Sequence, residues 1–166
     1  NVDSSETGRM VALSMRPTAG TPVTTGPVPV AVLGKSAELW RNGLGMFTSS
    51  PVRVDNRIFQ VTQTGELCIV DATTGTVTAK EKLGTFQLHA SPLFAGGRLY
   101  VPMEDGQLHI VAVRGDRLVK EGVLRLEGSC LGAPSAWGGR LYVHTTARLY
   151  CFGEIRPVPG VADPGA

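Results

Sequence analysis

Three segments of the chain repeat at a spacing that few folds accept. SPVRVDNRIFQVTQTGELCIVDATTG, SPLFAGGRLYVPMEDGQLHIVAVRGD and APSAWGGRLYVHTTARLYCFG align on Pro51, Pro92 and Pro134, which stand 41 and 42 residues apart. Arg57, Arg98 and Arg140 fall in register, and Leu67, Leu108 and Leu149 are each 41 residues apart. A fourth, partial copy opens the chain, where TGRMVALS (7–14) matches TGELCIVD (64–71). The segment ELWRNGLG (38–45) matches TAKEKLG (78–84), which puts Trp40 opposite Ala79. A period of about 40–45 residues is that of one four-stranded propeller blade.

The interior of each repeat reads as strands. RIFQVT, RLYVPM and RLYVHT are rich in β-branched and aromatic residues. GELCIVD, GQLHIVA and ARLYCFG follow them, the first two after turns ending in Gly. DNR, AGGR and WGGR are also turn chemistry. No stretch keeps apolar residues at helical spacing for long, so little or no helix is expected. Ala12, Ile69, Ile110 and Cys151 share one repeat position, and Val11, Cys68, His109 and Tyr150 the next. Successive strand residues face opposite ways. A blade has neighbours on both sides, so both sets are expected to be buried between sheets.

The expected fold is therefore all-β, a partial ring of a β-propeller made of four-stranded antiparallel blades with repeats of about 41 residues. Residues 1–14 read as the end of a partial blade and 36–48 as its last strand. Residues 15–35, rich in Pro, Thr and Gly, read as a long inserted loop. Blades follow at 49–89 and 90–131, and an incomplete last blade at 132–153. Residues 154–166, EIRPVPGVADPGA, read as a flexible tail. Bare sheet edges are an aggregation liability. The chain is accordingly read as the C-terminal part of a longer propeller, with the remaining blades outside it.

Composition narrows the function classes. With 16 Lys and Arg against 14 Asp and Glu, the net charge is only +2. A strongly electrostatic nucleic-acid or membrane binder needs clustered excess cations, so no nucleic-acid partner is expected. No apolar run is long enough for a transmembrane helix. Cys68, Cys130 and Cys151 form no CxxC pair and sit among apolar residues. They read as small buried hydrophobes. Ser50 and Ser91 lack a G-x-S-x-G context. Dinucleotide and phosphate loops are absent. His89, His109 and His144 share no metal-ligand spacing.

GRLYV, DGQL and VDATTG, as they stand at 97–101, 105–108 and 70–75, resemble the PQQ-like, or quinoprotein-type, β-propeller repeat. The resemblance covers about residues 7–14 and 36–153. In that family a closing Trp docks one blade on the next. Here it is present as Trp40, with Ala79 and, by alignment, Val119 in the corresponding later places. The family holds PQQ-dependent alcohol and sugar dehydrogenases as well as cofactor-free scaffolds, so fold alone does not choose between them. The dehydrogenases carry an adjacent Cys–Cys pair and a Ca²⁺ held by carboxylate and amide oxygens. No two cysteines are adjacent here. The resemblance thus implies a non-catalytic scaffold that binds another protein and no cofactor. The alternative is part of a dehydrogenase using PQQ with Ca²⁺. It further implies a periplasmic or secreted, bacterial protein.

Binding residues on a rigid scaffold usually lie on loops. The candidate surface is 43–49, 84–89 and 128–133, with the turns at 63–65 and 104–106. Phe47 and Phe86 stand at matching places in successive loops, and His89 follows Phe86. Exposed, the two rings are aromatic anchors for a protein partner; packed under the loops, they are ordinary core. His89 reads either as a ligand or base, or as a loop residue capping backbone groups. Arg57, Arg98 and Arg140 read as residues bonding a neighbouring turn, with an anion-binding patch as the alternative.

Overall fold

The computed structural model describes residues 9–15, 22–23, 30–31, 35–85 and 89–153. In chain order the strands are β1 (Val11–Leu13), β2 (Pro22–Val23), β3 (Val30–Ala31), β4 (Glu38–Arg41), β5 (Val52–Val54), β6 (Arg57–Val61), β7 (Glu66–Asp71) and β8 (Val77–Lys82). They continue as β9 (Leu93–Ala95), β10 (Arg98–Pro102), β11 (Gln107–Arg114), β12 (Arg117–Arg125), β13 (Ser135–Trp137), β14 (Arg140–His144) and β15 (Leu149–Phe152). The described helix is a single 3-10 turn, Lys35–Ala37.

The strands form four propeller-type sheets. β1 pairs with β4 in the first, β5 to β8 make the second, β9 to β12 the third and β13 to β15 the fourth. Every pairing is antiparallel. β2 and β3 pair separately, so the segment expected as a loop at 15–35 contains a short ladder. Buried clusters join the first sheet to the second, the second to the third and the third to the fourth, and among the described residues none joins the fourth to the first, so the ring is partial.

The repeat is visible in the irregularities as well as in the ladders. Register breaks at Ala12/Leu13, Ile69/Val70 and Ile110/Val111, the same repeat position in three sheets. A bulge of this kind places one extra residue on the partner strand. Its recurrence fixes which outer-strand residues correspond. Trp40 faces Ala12, Ala79 faces Ile69 and Gly122 faces Ile110. The counterpart of Trp40 in the third sheet is thus Gly122, not Val119. The cause is the longer hairpin of β11 and β12, which runs on to Arg114 and Arg117.

Both faces of the middle sheets are buried, as the paired repeat positions require. Leu67 and Ile69 pack with Leu99, Val101 and Val111 between the second and third sheets. Cys68 and Val70 face the other way, onto Met10 and Trp40. Leu108 packs with Cys130, Leu141 and Val143 between the third and fourth sheets. Each fully buried aliphatic side chain is worth about 1.5–3 kcal/mol, so these interlayers hold the stack without helices.

Two glycines show why the hairpin turns have their sequence. Gly65 and Gly106 have φ of 75° and 81°. A Cβ at Gly65 would stand 2.3 Å from Gly84 O, and one at Gly106 2.5 Å from Leu126 O. Gly65 O accepts from Leu83 N and Gly106 O from Leu126 N, each at 2.9 Å. The chain leaving the outer strand crosses directly over the turn, so only Gly fits.

The outer face of the fourth sheet differs from its counterparts. Leu149 is 69% exposed, and Cys151 is exposed, although Leu67 and Ile69 at the same positions are fully buried. Cys151 therefore departs from the expected burial of all three cysteines. Among the described residues no fifth sheet covers that face.

Candidate functional site

Two regions at opposite ends of the strands combine exposed apolar surface with fixed geometry. The first is the loop end, where the turns 63–65 and 104–106 and the connections between sheets lie. Its loops bond to one another at matched repeat positions. Thr48 Oγ1 donates to His89 O at 3.2 Å and lies 3.3 Å from His89 Nδ1. Ser50 N donates to Ser91 Oγ at 2.8 Å. His89 Nε2 stands 3.3 Å from Glu104 Oε2 in the next turn. Phe47 meets the His89 ring edge to face, with centroids 5.2 Å apart and planes at 76°.

Phe47 is 55% exposed, so of its two expected placements the structure takes the surface one. The ring is nonetheless held by a histidine that is itself fixed on two sides. Such an aromatic loses little freedom when a partner covers it. His89 is half-buried and bridges one loop to the next. Phe86 lies outside the described residues.

The second region is the socket of Trp40 and its repeats. The Trp40 indole packs on Ile58, Val70 and Val77 of the second sheet. Its Nε1 donates to Ala72 O at 2.9 Å. A Cβ on Gly75, at φ 74°, would lie 2.5 Å from Trp40 Cε3, so glycine is required where the ring passes. Asp71 shapes this turn by accepting from Thr73 N at 2.9 Å, Thr74 N at 2.8 Å and Asn56 Nδ2 at 2.8 Å. These bonds, the Thr74 amide first, hold its carboxyl below the usual aspartate range. The VDATTG signature is therefore the seat of the tryptophan.

The next junction has Ala79 in that place and fills the gap differently. Phe59 and Phe94 stack at 5.9 Å, nearly parallel. Arg57 Nη1 crosses to Gly115 O at 2.7 Å, and Lys120 pairs with Glu81 at 2.8 Å. Of the three equivalent arginines, Arg57 bonds a neighbouring turn as expected. Arg98 instead pairs with Glu121 of its own sheet at 2.6 Å. No described carboxylate pairs with Arg140. At the third junction Gly122 stands in the place of Trp40, and a groove of about 570 Å³, lined in part by Trp137, opens between the third and fourth sheets. Sequence alignment missed the place of Gly122 because the lengthened β11–β12 hairpin shifted it out of register.

The remaining reactive groups are dispersed. Among the described residues no three His, Cys, Asp or Glu side chains converge. Burial is the main cause pushing the Cys68 thiol up to about 11, and it pushes Cys130 up as well. Neither supplies a ready thiolate. His109 is buried between sheets and burial holds its pKa below the usual imidazole value. His144 ends β14, exposed.

Comparison with known proteins matches this architecture. The family model described as outer membrane protein assembly factor BamB (PQQ_2) matches residues 29–120. No curated protein matches the chain by sequence. BamB from Moraxella catarrhalis is similar in structure, with a TM-score of 0.59 and 18% identity over 70% of this chain and 37% of that one. The β-propeller domain of Cps50 (Swd1) from Myceliophteria thermophila gives a TM-score of 0.51 and 18% identity, over 64% of this chain and 37% of that one. A quinohemoprotein alcohol dehydrogenase, ADHIIG from Pseudomonas putida HK5, gives 0.49 and 15%, over 58% of this chain and 16% of that one. The chain thus spans about a third of the length of the propellers it resembles.

Proposed function

The chain belongs to the PQQ-repeat family of the outer membrane protein assembly factor BamB, and from that premise we propose that it is a non-catalytic propeller segment that holds another protein through its loop end. Phe47 carries the reading: the ring is 55% exposed, yet clamped against His89, which Thr48 and Glu104 hold in turn. Pre-ordered aromatic rings are the commonest anchors of protein interfaces. His89 completes the proposed contact by orienting the ring, with Phe86 of the next loop proposed as a second aromatic anchor. The family premise also supports a periplasmic or extracellular bacterial setting.

No cofactor takes part in this role. The rival reading, a piece of a dehydrogenase using PQQ and Ca²⁺, is separated by titrating the protein with both and following dye-coupled oxidation of alcohols and sugars. The proposed role predicts neither binding nor turnover, and tight binding with turnover overturns it. The positive test is Phe47→Ala. Partner capture should fall at least tenfold, as for a central aromatic worth about 2 kcal/mol, while the melting temperature moves by no more than about 2 °C. Unchanged capture, or a parallel loss of stability, contradicts the role.

A further inference from the structure

The contacts of His89 at the loop end cannot all form around a neutral ring. Thr48 Oγ1 donates its one proton to His89 O at 3.2 Å, and the same oxygen lies 3.3 Å from His89 Nδ1. With that proton committed the hydroxyl can only accept, so Nδ1 must carry the hydrogen of the second contact. On the other side of the ring, Nε2 lies 3.3 Å from Glu104 Oε2. An ionised carboxylate only accepts, so Nε2 must carry a hydrogen too. A neutral imidazole has one N–H and an imidazolium has two. The arrangement of the three loops therefore fits the protonated ring.

Deprotonation breaks the set on one side or the other. A bare Nδ1 draws the Thr48 proton away from His89 O, and a bare Nε2 turns its lone pair on the Glu104 carboxylate. The surroundings leave this balance to Glu104. Segments 43–49 and 89–92 contain no charged residue besides His89 itself. In the turn 103–106, the Asp105 carboxylate is occupied by Gln107 N at 3.2 Å and by Gln107 Nε2 at 2.5 Å. Among the described residues Glu104 pairs with no lysine or arginine. The Phe47 ring, with its centroid 5.2 Å from that of His89, lies within the reach of about 6 Å over which an aromatic ring attracts a cation. We propose that His89 is a proton-operated latch: protonated, it ties Thr48 to Glu104 and fixes the Phe47 ring, and neutral, it lets the loops part. The latch regulates the surface assigned above to a protein partner and rests on that reading for its use, but it belongs to the free chain and needs no partner to be observed. His109 carries the opposite sign. Burial first, and Lys120 next, hold its pKa below the usual imidazole value, so acid weakens the packing between the second and third sheets while it closes the latch.

The test is hydrogen exchange of the full chain, followed by NMR. The Ser50 amide, which donates to Ser91 Oγ at 2.8 Å, joins the two loops beside the latch. Its protection, corrected for intrinsic exchange, should fall about two- to fivefold between about pH 5.5 and about pH 8, the effect of one partly exposed ion pair over the range in which a histidine titrates. The midpoint of that fall should coincide with the midpoint read from the ring nitrogens of His89. Glu104→Gln and Thr48→Val each remove one anchor and should each flatten the fall, while the Leu67 amide of β7 keeps its protection throughout. Ser50 protection that does not change with pH, that changes away from the His89 midpoint, or that keeps its full pH dependence in both variants overturns the latch. A change shared by Ser50, Leu67 and Val111 would be a change of global stability and overturns it equally. If the Ser50 fall is seen but Phe47→Ala leaves partner capture unchanged, the latch stands and the partner reading alone fails.

Discussion

Replacing Trp40 with Ala should separate the first sheet from the second. The side chain is 9% exposed and packs on Ile58, Val70 and Val77. Truncating a buried Trp costs about 3–5 kcal/mol through lost transfer free energy and the cavity left behind. The first sheet has only two described strands and can partly collapse into the gap, which favours the lower half of that range. Losing the Nε1 bond to Ala72 O, 2.9 Å long and half-buried, adds about 1 kcal/mol. The sum is about 4 kcal/mol. At about 2–4 °C per kcal/mol for a chain of this size, the melting temperature should fall by about 10 °C. The chain has two tryptophans, and the other supplies the control. Trp137 is 79% exposed, so Trp137→Ala should stay within about 0.5 kcal/mol, a shift under about 2 °C. Circular dichroism melts of the two variants decide the matter. Equal shifts would refute the idea that the indole joins the sheets. A third variant, Trp40→Phe, keeps a ring and drops the donor, and should fall between them.

Three further predictions follow from particular contacts. Gly75→Ala should cost clearly more than Gly96→Ala: both have positive φ, but a Cβ meets the Trp40 ring at the first and open space at the second; thermal melts of the pair give the difference. In the native protein only Cys151 should react readily with a thiol reagent, because Cys68 and Cys130 are fully buried; mass spectrometry of the alkylated sites reads this directly. Asp71 is held below the usual aspartate pKa, so the unfolded chain binds its proton more readily. Its contribution is complete above about pH 4 and is lost as pH falls through the lowered folded value. Asp71→Asn should make melting temperature less sensitive to pH between about 4 and 2; an unchanged acid slope contradicts that role.

The repeat made the sheets legible before the structure did. Pro, Arg and Leu anchors at one period placed the middle strands, and paired apolar positions announced burial on both faces. Trp40 was legible for the same reason. Its third counterpart was not, because β11 and β12 extend to Arg114 and Arg117, and a hairpin lengthened on both sides moves a residue out of linear register without altering the strand pattern. Cys151 misled in the opposite way. Its repeat position says buried, but burial belongs to the neighbouring sheet, not to the residue. The loop end was legible only as a candidate. Phe47 reads the same in sequence whether its ring packs inward or outward, and the bonds of Thr48 and Glu104 to His89, which fix the outcome, join residues far apart in the chain.

The loop-end role is tested most directly by a photo-crosslinking phenylalanine analogue placed at position 47 of the full-length protein in its native cells. The account predicts a discrete covalent adduct with another polypeptide. No such adduct should form from the same analogue at Asp116, an exposed turn residue at the opposite end of the strands. Irradiation that yields no adduct from position 47, or the same adducts from both positions, would contradict it.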